Sequence, residues 1–202
     1  MDSPLPQAAT YLAAAASFRE LLARVPPDAW DRPGLGHWTV RTLAGHTSRA
    51  LVTVLTYLDQ PAERVERESA AAYFSGLDFS SSPDITARAV AAGEALGEDP
   101  LATVDGLLAR LQQRLPRETD RVIHTIAGGM RISDYLPTRI FELAVHSLDL
   151  AAACGLAVRL PPDVERAAAE LAVQIAVGRG DGAPVLQALT GRAALPQGYS
   201  VV

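Results

Sequence analysis

Residues 139–149 read Arg-Ile-Phe-Glu-Leu-Ala-Val-His-Ser-Leu-Asp. Glu142 and His146 stand four residues apart in a segment whose other members are mostly apolar. Helical geometry stacks such a pair on one face, with Cβ atoms roughly 5–6 Å apart. A carboxylate and an imidazole on a turn that faces a core need partners. A divalent cation is one such partner. A third ligand of suitable chemistry, His46, stands in a second amphipathic stretch, Leu43-Ala44-Gly45-His46-Thr47.

The composition favours helices. Of the 202 residues, 49% are hydrophobic but only 5% aromatic, and alanine and leucine dominate. Such residues suit close-packed helices better than sheets of β-branched side chains. The length sits near the upper end for one domain, so residues 1–202 are expected to form a single helical-bundle domain. Its bundle core runs over about residues 6–155, with a C-terminal extension over 156–202.

Apolar spacing of three and four outlines the helices. The first runs from about Pro6 to Arg24 through Tyr11, Ala14, Ala15, Phe18, Leu21 and Leu22, and stops at Pro26-Pro27. The second follows Thr39, which suits an N-cap, and ends near Tyr57. Trp38 is placed to pack back on Leu43 as a hydrophobic staple. Within this helix His46 shares its stripe with Val40, Leu43, Ala50 and Val54. Residues 64–74 read as helical, 79–84 as a loop, 85–96 as helical, and 100–115 as a clear amphipathic helix.

Residues 121–126 alternate in character and suggest a short strand, followed by a turn over 127–130. Ser133 is expected to cap the helix that carries Glu142 and His146, with Asp134 in its first turn, Pro137 early in it, and Gly155 ending it. A further helix spans about Pro162 to Val177, and a short helical turn covers 185–189. The expected architecture is mainly all-α: an up-down four-helix bundle with an extra C-terminal helix and a short strand or two. Bundle cores are a known place for metals.

Charge and cysteine content narrow the function. The net charge is −5, with eighteen arginines, no lysine and no basic stripe, which argues against nucleic-acid binding. The single cysteine, Cys154, has no intrachain partner and reads as a small buried residue in a reducing compartment. Met1 to Pro6 lacks a basic region followed by an apolar run, and no apolar stretch reaches membrane-spanning length. A cytoplasmic location is expected.

Two imidazoles and one carboxylate are a workable zinc set, leaving a fourth position for substrate. Iron(II) and nickel accept the same donors. Each residue also has a plain structural alternative. His46 could be a hydrogen-bonded core histidine. Glu142 could pair with Arg139 along the helix. Asp149, three residues after His146, could hold its second ring nitrogen, or simply be solvated. His37 and His124 are weaker candidates.

Two stretches carry a family resemblance: Gly36-His37-Trp38-Thr39-Val40-Arg41-Thr42-Leu43-Ala44-Gly45-His46, and Arg139 through Leu150 with Arg139, Glu142, His146 and Asp149. They resemble the two signature segments of the mycothiol-dependent maleylpyruvate isomerase family, within the DinB-like four-helix-bundle superfamily. Residues 128–136 resemble the start of that family's ligand helix, and 189–196 the ends of many members. An acidic residue is common where this chain has Thr42.

The resemblance implies that His46, Glu142 and His146 bind a divalent cation, foremost zinc. It also implies that mycothiol or another low-molecular-weight thiol acts as co-substrate toward an electrophile, by transfer or by isomerisation of a double bond. Arg139 is the nearest candidate to bind a substrate carboxylate, with Arg131 and Arg41 behind it. Related bundles often pair, so a homodimer is an expectation. The alternatives are a non-catalytic metal-binding or small-ligand-sensing bundle, and a bundle without metal.

Overall fold

The computed structural model describes residues 5–75 and 83–202. The described part is mainly helical. Its helices are α1 (Ala8–Leu22), α2 (Val40–Tyr57), α3 (Ala70–Ser75), α4 (Pro83–Ala95), α5 (Pro100–Arg114), α6 (Ile132–Cys154), α7 (Pro162–Gly178) and α8 (Gly182–Leu189). A 3₁₀ turn follows α5 at Leu115–Arg117. Two strands, β1 (Val122–Thr125) and β2 (Gly128–Arg131), form an antiparallel hairpin. Most of the loop expected over 79–84 lies outside the described residues, as do the first four residues. Its last two positions, Pro83 and Asp84, open α4.

Helix α2 is the axis of the packing. Thr39 caps it as expected, its hydroxyl accepting from the Thr42 amide at 3.2 Å. Val40, Leu43, Ala50, Leu51 and Val54 are buried along it. Helices α4 and α6 both lie against α2, and α1 and α7 lie against α6. Tyr11 of α1 donates a buried hydrogen bond to the Ala50 carbonyl of α2 at 3.0 Å. Tyr135 of α6 donates to Thr53 Oγ1 of α2 at 2.9 Å. Arg19 of α1 grips Asp105 of α5 through two contacts of 2.6 and 2.9 Å.

Two glycines let α4 reach α2. A Cβ built on Gly45 would stand 2.2 Å from the Gly93 amide nitrogen, and one on Gly93 would stand 3.1 Å from the Arg41 carbonyl oxygen. The two backbones therefore touch, and α4 forms a wall close to His46, the residue after Gly45. The sequence marks residues 85–96 as helical but does not show that they pack against the second helix. The signal that goes unread is this pair of small residues, forty-eight positions apart.

Three local expectations are corrected. Of the stretch 64–74 only residues 70–74 are helical, as part of α3. The Glu66 and Arg67 amides instead donate to the Gly129 carbonyl at 2.7 and 3.0 Å, which holds them against the hairpin. Residues 128–130 belong to β2 rather than to a turn; the reversal is made by Ile126 and Ala127. Ser133 lies inside α6, which starts at Ile132. Its amide and hydroxyl both donate to the Asp120 carboxylate at 3.0 Å, so the cap comes from the preceding loop. Pro137 is consequently interior to the helix.

At its other end α6 stops where expected, at Gly155 with a left-handed φ of 64°. With 23 residues, α6 extends about 35 Å. Among the described residues no helix is long and apolar enough to cross a membrane.

The glycine contact yields a paired stability prediction. Gly45→Ala forces two backbones apart and should destabilise by about 1–3 kcal/mol despite alanine's better helix propensity. Gly106→Ala, in open space on exposed α5, should stabilise by up to about 1 kcal/mol. Chemical denaturation of both variants checks the opposite signs; a stabilised Gly45→Ala would mean the α2–α4 contact is wrong.

Candidate metal centre

The long face of α6 presents Tyr135, Arg139, Glu142, His146 and Asp149 in sequence, at the three- and four-residue spacing that keeps them aligned. His46 meets this row from α2. His46 Nε2 lies 3.6 Å from Glu142 Oε2, and His146 Nε2 lies 3.3 Å from the same oxygen. The imidazole rings stand edge to face, their centroids 4.8 Å apart at 86°. One ligand atom from each of the three residues lies within 4.8 Å of the other two, close enough for the group to hold a metal ion.

The donor chemistry fits such an ion. Bonds of about 2.0–2.1 Å to a tetrahedral centre put neighbouring donors about 3.3–3.5 Å apart. The two donor pairs involving Glu142 span 3.6 and 3.3 Å. A two-nitrogen, one-oxygen set leaves a fourth direction open. All three side chains are largely removed from solvent, with 19%, 17% and 15% of their area exposed for His46, Glu142 and His146.

The surroundings set the charge of each group. Burial alone would raise the Glu142 pKa. Hydrogen bonds from His146 and His46 and the positive charge of Arg139 override it and hold Glu142 well below the usual carboxylate range. Burial lowers His46, more strongly than the Glu142 contact raises it, so that imidazole is neutral at pH 7. His46 Nδ1 is buried without a hydrogen-bond partner among the described residues.

His146 goes the other way. Burial would lower it, but hydrogen bonds to Asp149 and Glu142 lift it to about 9. Asp149 Oδ2 sits 3.0 Å from His146 Nδ1. That contact fixes the ring with Nε2 turned toward Glu142, the usual way a carboxylate orients an imidazole behind a metal.

Arg139 is buried, with 7% of its surface exposed. Its guanidinium stacks over the rings of Tyr73 and Tyr135 at 5.2 and 5.1 Å, and approaches Glu142 Oε1 at 3.9 Å. Its Nε donates to Thr138 Oγ1 at 3.0 Å. It faces Glu142 from inside the bundle rather than from a cleft. Arg41 stacks on Trp30 and donates to the Gly97 carbonyl, and Arg131 faces Asp120 at 3.8 Å. His37 and His124 are exposed and stand outside the cluster.

Two neighbours went unnoticed in the sequence. Trp38, expected to staple onto Leu43, lies beside the His46 ring at 4.7 Å, and its indole N–H reaches Thr86 Oγ1 of α4 at 3.4 Å. Tyr73 of the short helix α3 closes the Arg139 side and stacks edge-on with Phe74 and Tyr135. Trp38 stands in the loop before α2, and Tyr73 in a stretch whose helical reading gave no link to α6. The Trp38 signal was its position just before the cap of the helix that carries His46; Tyr73 had none. Thr42, the departure from the common acidic residue, serves the cap through its amide and through a hydroxyl contact with Thr39 at 3.1 Å.

Comparison with known proteins places this geometry in a family. No curated protein and no solved structure matches the chain. The family model described as the mycothiol maleylpyruvate isomerase N-terminal domain matches residues 11–151, a span that runs from α1 through nearly all of α6 and contains every residue of the cluster. The helical architecture and the two matching segments agree, and the chain belongs to the mycothiol maleylpyruvate isomerase N-terminal domain family, a DinB-like helical bundle.

Proposed function

We propose that this protein is a divalent-metal-dependent enzyme, with zinc as the first candidate metal and iron(II) or nickel behind it. It uses a low-molecular-weight thiol, mycothiol or a relative, for S-transfer to an electrophile or for isomerisation of a double bond. The observation that carries the reading is the convergence of His46, Glu142 and His146 from two helices, their ligand atoms within 4.8 Å of one another, in a chain of this family.

His46 and His146 would supply nitrogen and Glu142 oxygen. A divalent cation bound there supplies the positive charge that keeps a thiol deprotonated at neutral pH. The chain's own contribution is orientation. Asp149 holds the His146 ring, Arg139 offsets the Glu142 charge from behind, and the Trp38 ring packs beside His46. A thiolate held in one direction by rigid helices meets its electrophile with much of the orientational entropy already lost. Sulfur then adds to one carbon of an activated double bond, and the π electrons move onto the conjugated carbonyl oxygen as an enolate. The enolate takes a proton from water and leaves as the thioether, or rotates about the former double bond and returns its electron pair to expel the same thiolate, giving the isomer; an alkyl halide electrophile instead loses its halide.

Three outcomes test the reading. His46→Ala and His146→Ala should each lose stoichiometric zinc, measured by elemental analysis of untagged protein, while circular dichroism keeps most of the helix signal. Zinc retained by both variants would remove the ligand assignment. The zinc-loaded protein should conjugate a thiol to monochlorobimane above background, and His146→Ala should not; no adduct with any common bacterial thiol would count against the enzyme.

The third outcome follows from protonation. Metal binds only neutral imidazole. His146, with a pKa of about 9, carries a proton at pH 7–8 in the metal-free protein. Apparent zinc affinity should therefore weaken about tenfold for each pH unit below 9. Asp149→Asn removes one cause of the raised pKa, and should shift the onset of that loss to lower pH. Competition titrations with a chelator at several pH values read it directly.

A further inference from the structure

The two oxygens of the Glu142 carboxylate face different neighbours. Oε2 is approached by His46 Nε2 at 3.6 Å and by His146 Nε2 at 3.3 Å. Oε1 is approached by Arg139 Nη2 at 3.9 Å. Arg139 stands three residues before Glu142, one turn back along the same face of α6. Both imidazoles therefore gather on one oxygen, and the guanidinium takes the side of the other.

The guanidinium is itself fixed. Arg139 is buried, and its Nε donates to Thr138 Oγ1 at 3.0 Å. That hydroxyl donates in turn to the Tyr135 carbonyl at 2.6 Å. The rings of Tyr73 and Tyr135 lie 5.2 and 5.1 Å from the guanidinium carbon. The Tyr135 ring is anchored through its hydroxyl on Thr53 of α2, and the Tyr73 ring meets it at 6.0 Å between centroids. Residues of α2, α3 and α6 thus combine to hold one arginine in place.

Burying an arginine is costly, and neutralising Glu142 does not by itself require it. The two imidazoles already hydrogen-bond the carboxylate, and a bound cation adds positive charge beyond theirs. What a planar, enclosed guanidinium adds is direction. For both carboxylate oxygens to reach one cation, Oε1 would have to turn away from Arg139. Glu142 is the acidic partner of that guanidinium among the described residues, so the turn would strand a buried charge between aromatic rings.

We infer that Arg139 is a positioning residue that makes Glu142 a one-oxygen ligand, with Oε2 toward the cation and Oε1 toward the guanidinium, and so keeps the fourth coordination position free for an incoming molecule. The inference rests on the metal centre proposed above and not on its thiol chemistry. It gives Arg139 a role on Glu142 rather than on a substrate carboxylate.

Cobalt(II) bound to the full chain tests it, because its visible absorption is strong when the ion is four-coordinate and weak when it is five-coordinate. Wild type should show the strong band. Arg139→Met frees Oε1, and should bind the same amount of cobalt but lose much of that intensity as the carboxylate closes on the ion through both oxygens. Arg139→Lys keeps the charge on a flexible stem without the planar fork, and should fall between the two. Zinc-edge absorption should agree, the first shell of light atoms growing from four to five in Arg139→Met.

An unchanged spectrum in folded Arg139→Met, or a weak band in wild type, overturns the inference. So does a folded Arg139→Met that binds no cobalt, since Arg139 would then be needed for the ligand set as a whole. If Arg139→Met does not fold by circular dichroism, Arg139→Lys decides alone: reduced intensity supports the role, and a spectrum equal to wild type overturns it. Wild type that takes up no cobalt removes the metal centre and the inference with it, whereas bound cobalt with unaltered variant spectra removes only the role of Arg139.

Discussion

The Glu142 carboxylate is the point around which α2 and α6 are arranged. It is largely buried, ionised, and shared by an imidazole from each helix, with a guanidinium on its far side. A buried anion of this kind is costly unless its neighbours compensate it. Here the compensating groups come from different parts of the chain: His46 across the helix interface, His146 one turn along, Arg139 one turn back. Removing any of them leaves charge in a place that water does not reach freely. The constellation is therefore poorly explained as a device for stability alone, since apolar residues of similar size would pack as well. It is well explained as a set of donors kept ready for a cation.

The rest of the fold supports that interface. The Gly45–Gly93 contact draws α4 close beside the histidine helix, and Trp38 spans from His46 to Thr86 on α4. Tyr135 and Tyr11 tie α2 to α6 and α1 by hydrogen bonds rather than by apolar contact alone. The hairpin and Asp120 fix where α6 begins, and so fix the level at which Glu142 and His146 meet His46. The opposite pKa shifts of the two imidazoles follow from this construction: His46 has only burial and one carboxylate contact, whereas His146 has a carboxylate on each ring nitrogen.

Much of this was legible in the sequence because it is local. The spacing of Glu142 and His146, the apolar stripe around His46, the Thr39 cap and the Gly155 stop each depend on residues within a few positions of one another. What was not legible depends on distant partners. Gly128-Gly129 has little strand propensity, and pairs only because β1 lies opposite. Residues 64–69 have helical composition, yet the amides of Glu66 and Arg67 are claimed by Gly129. Ser133 looks like a cap until Asp120 supplies a stronger one. Arg139 was singled out by its spacing to Glu142, but nothing in one sequence says that Tyr73 and Tyr135 enclose it.

X-ray absorption at the zinc edge tests the account most directly. The zinc-loaded protein should show two imidazole nitrogens and one carboxylate oxygen at about 2.0–2.2 Å, with a fourth light atom; added thiol should replace that atom by one sulfur at about 2.3 Å. A first shell without imidazole scattering, or one that already contains sulfur before thiol is added, would contradict it.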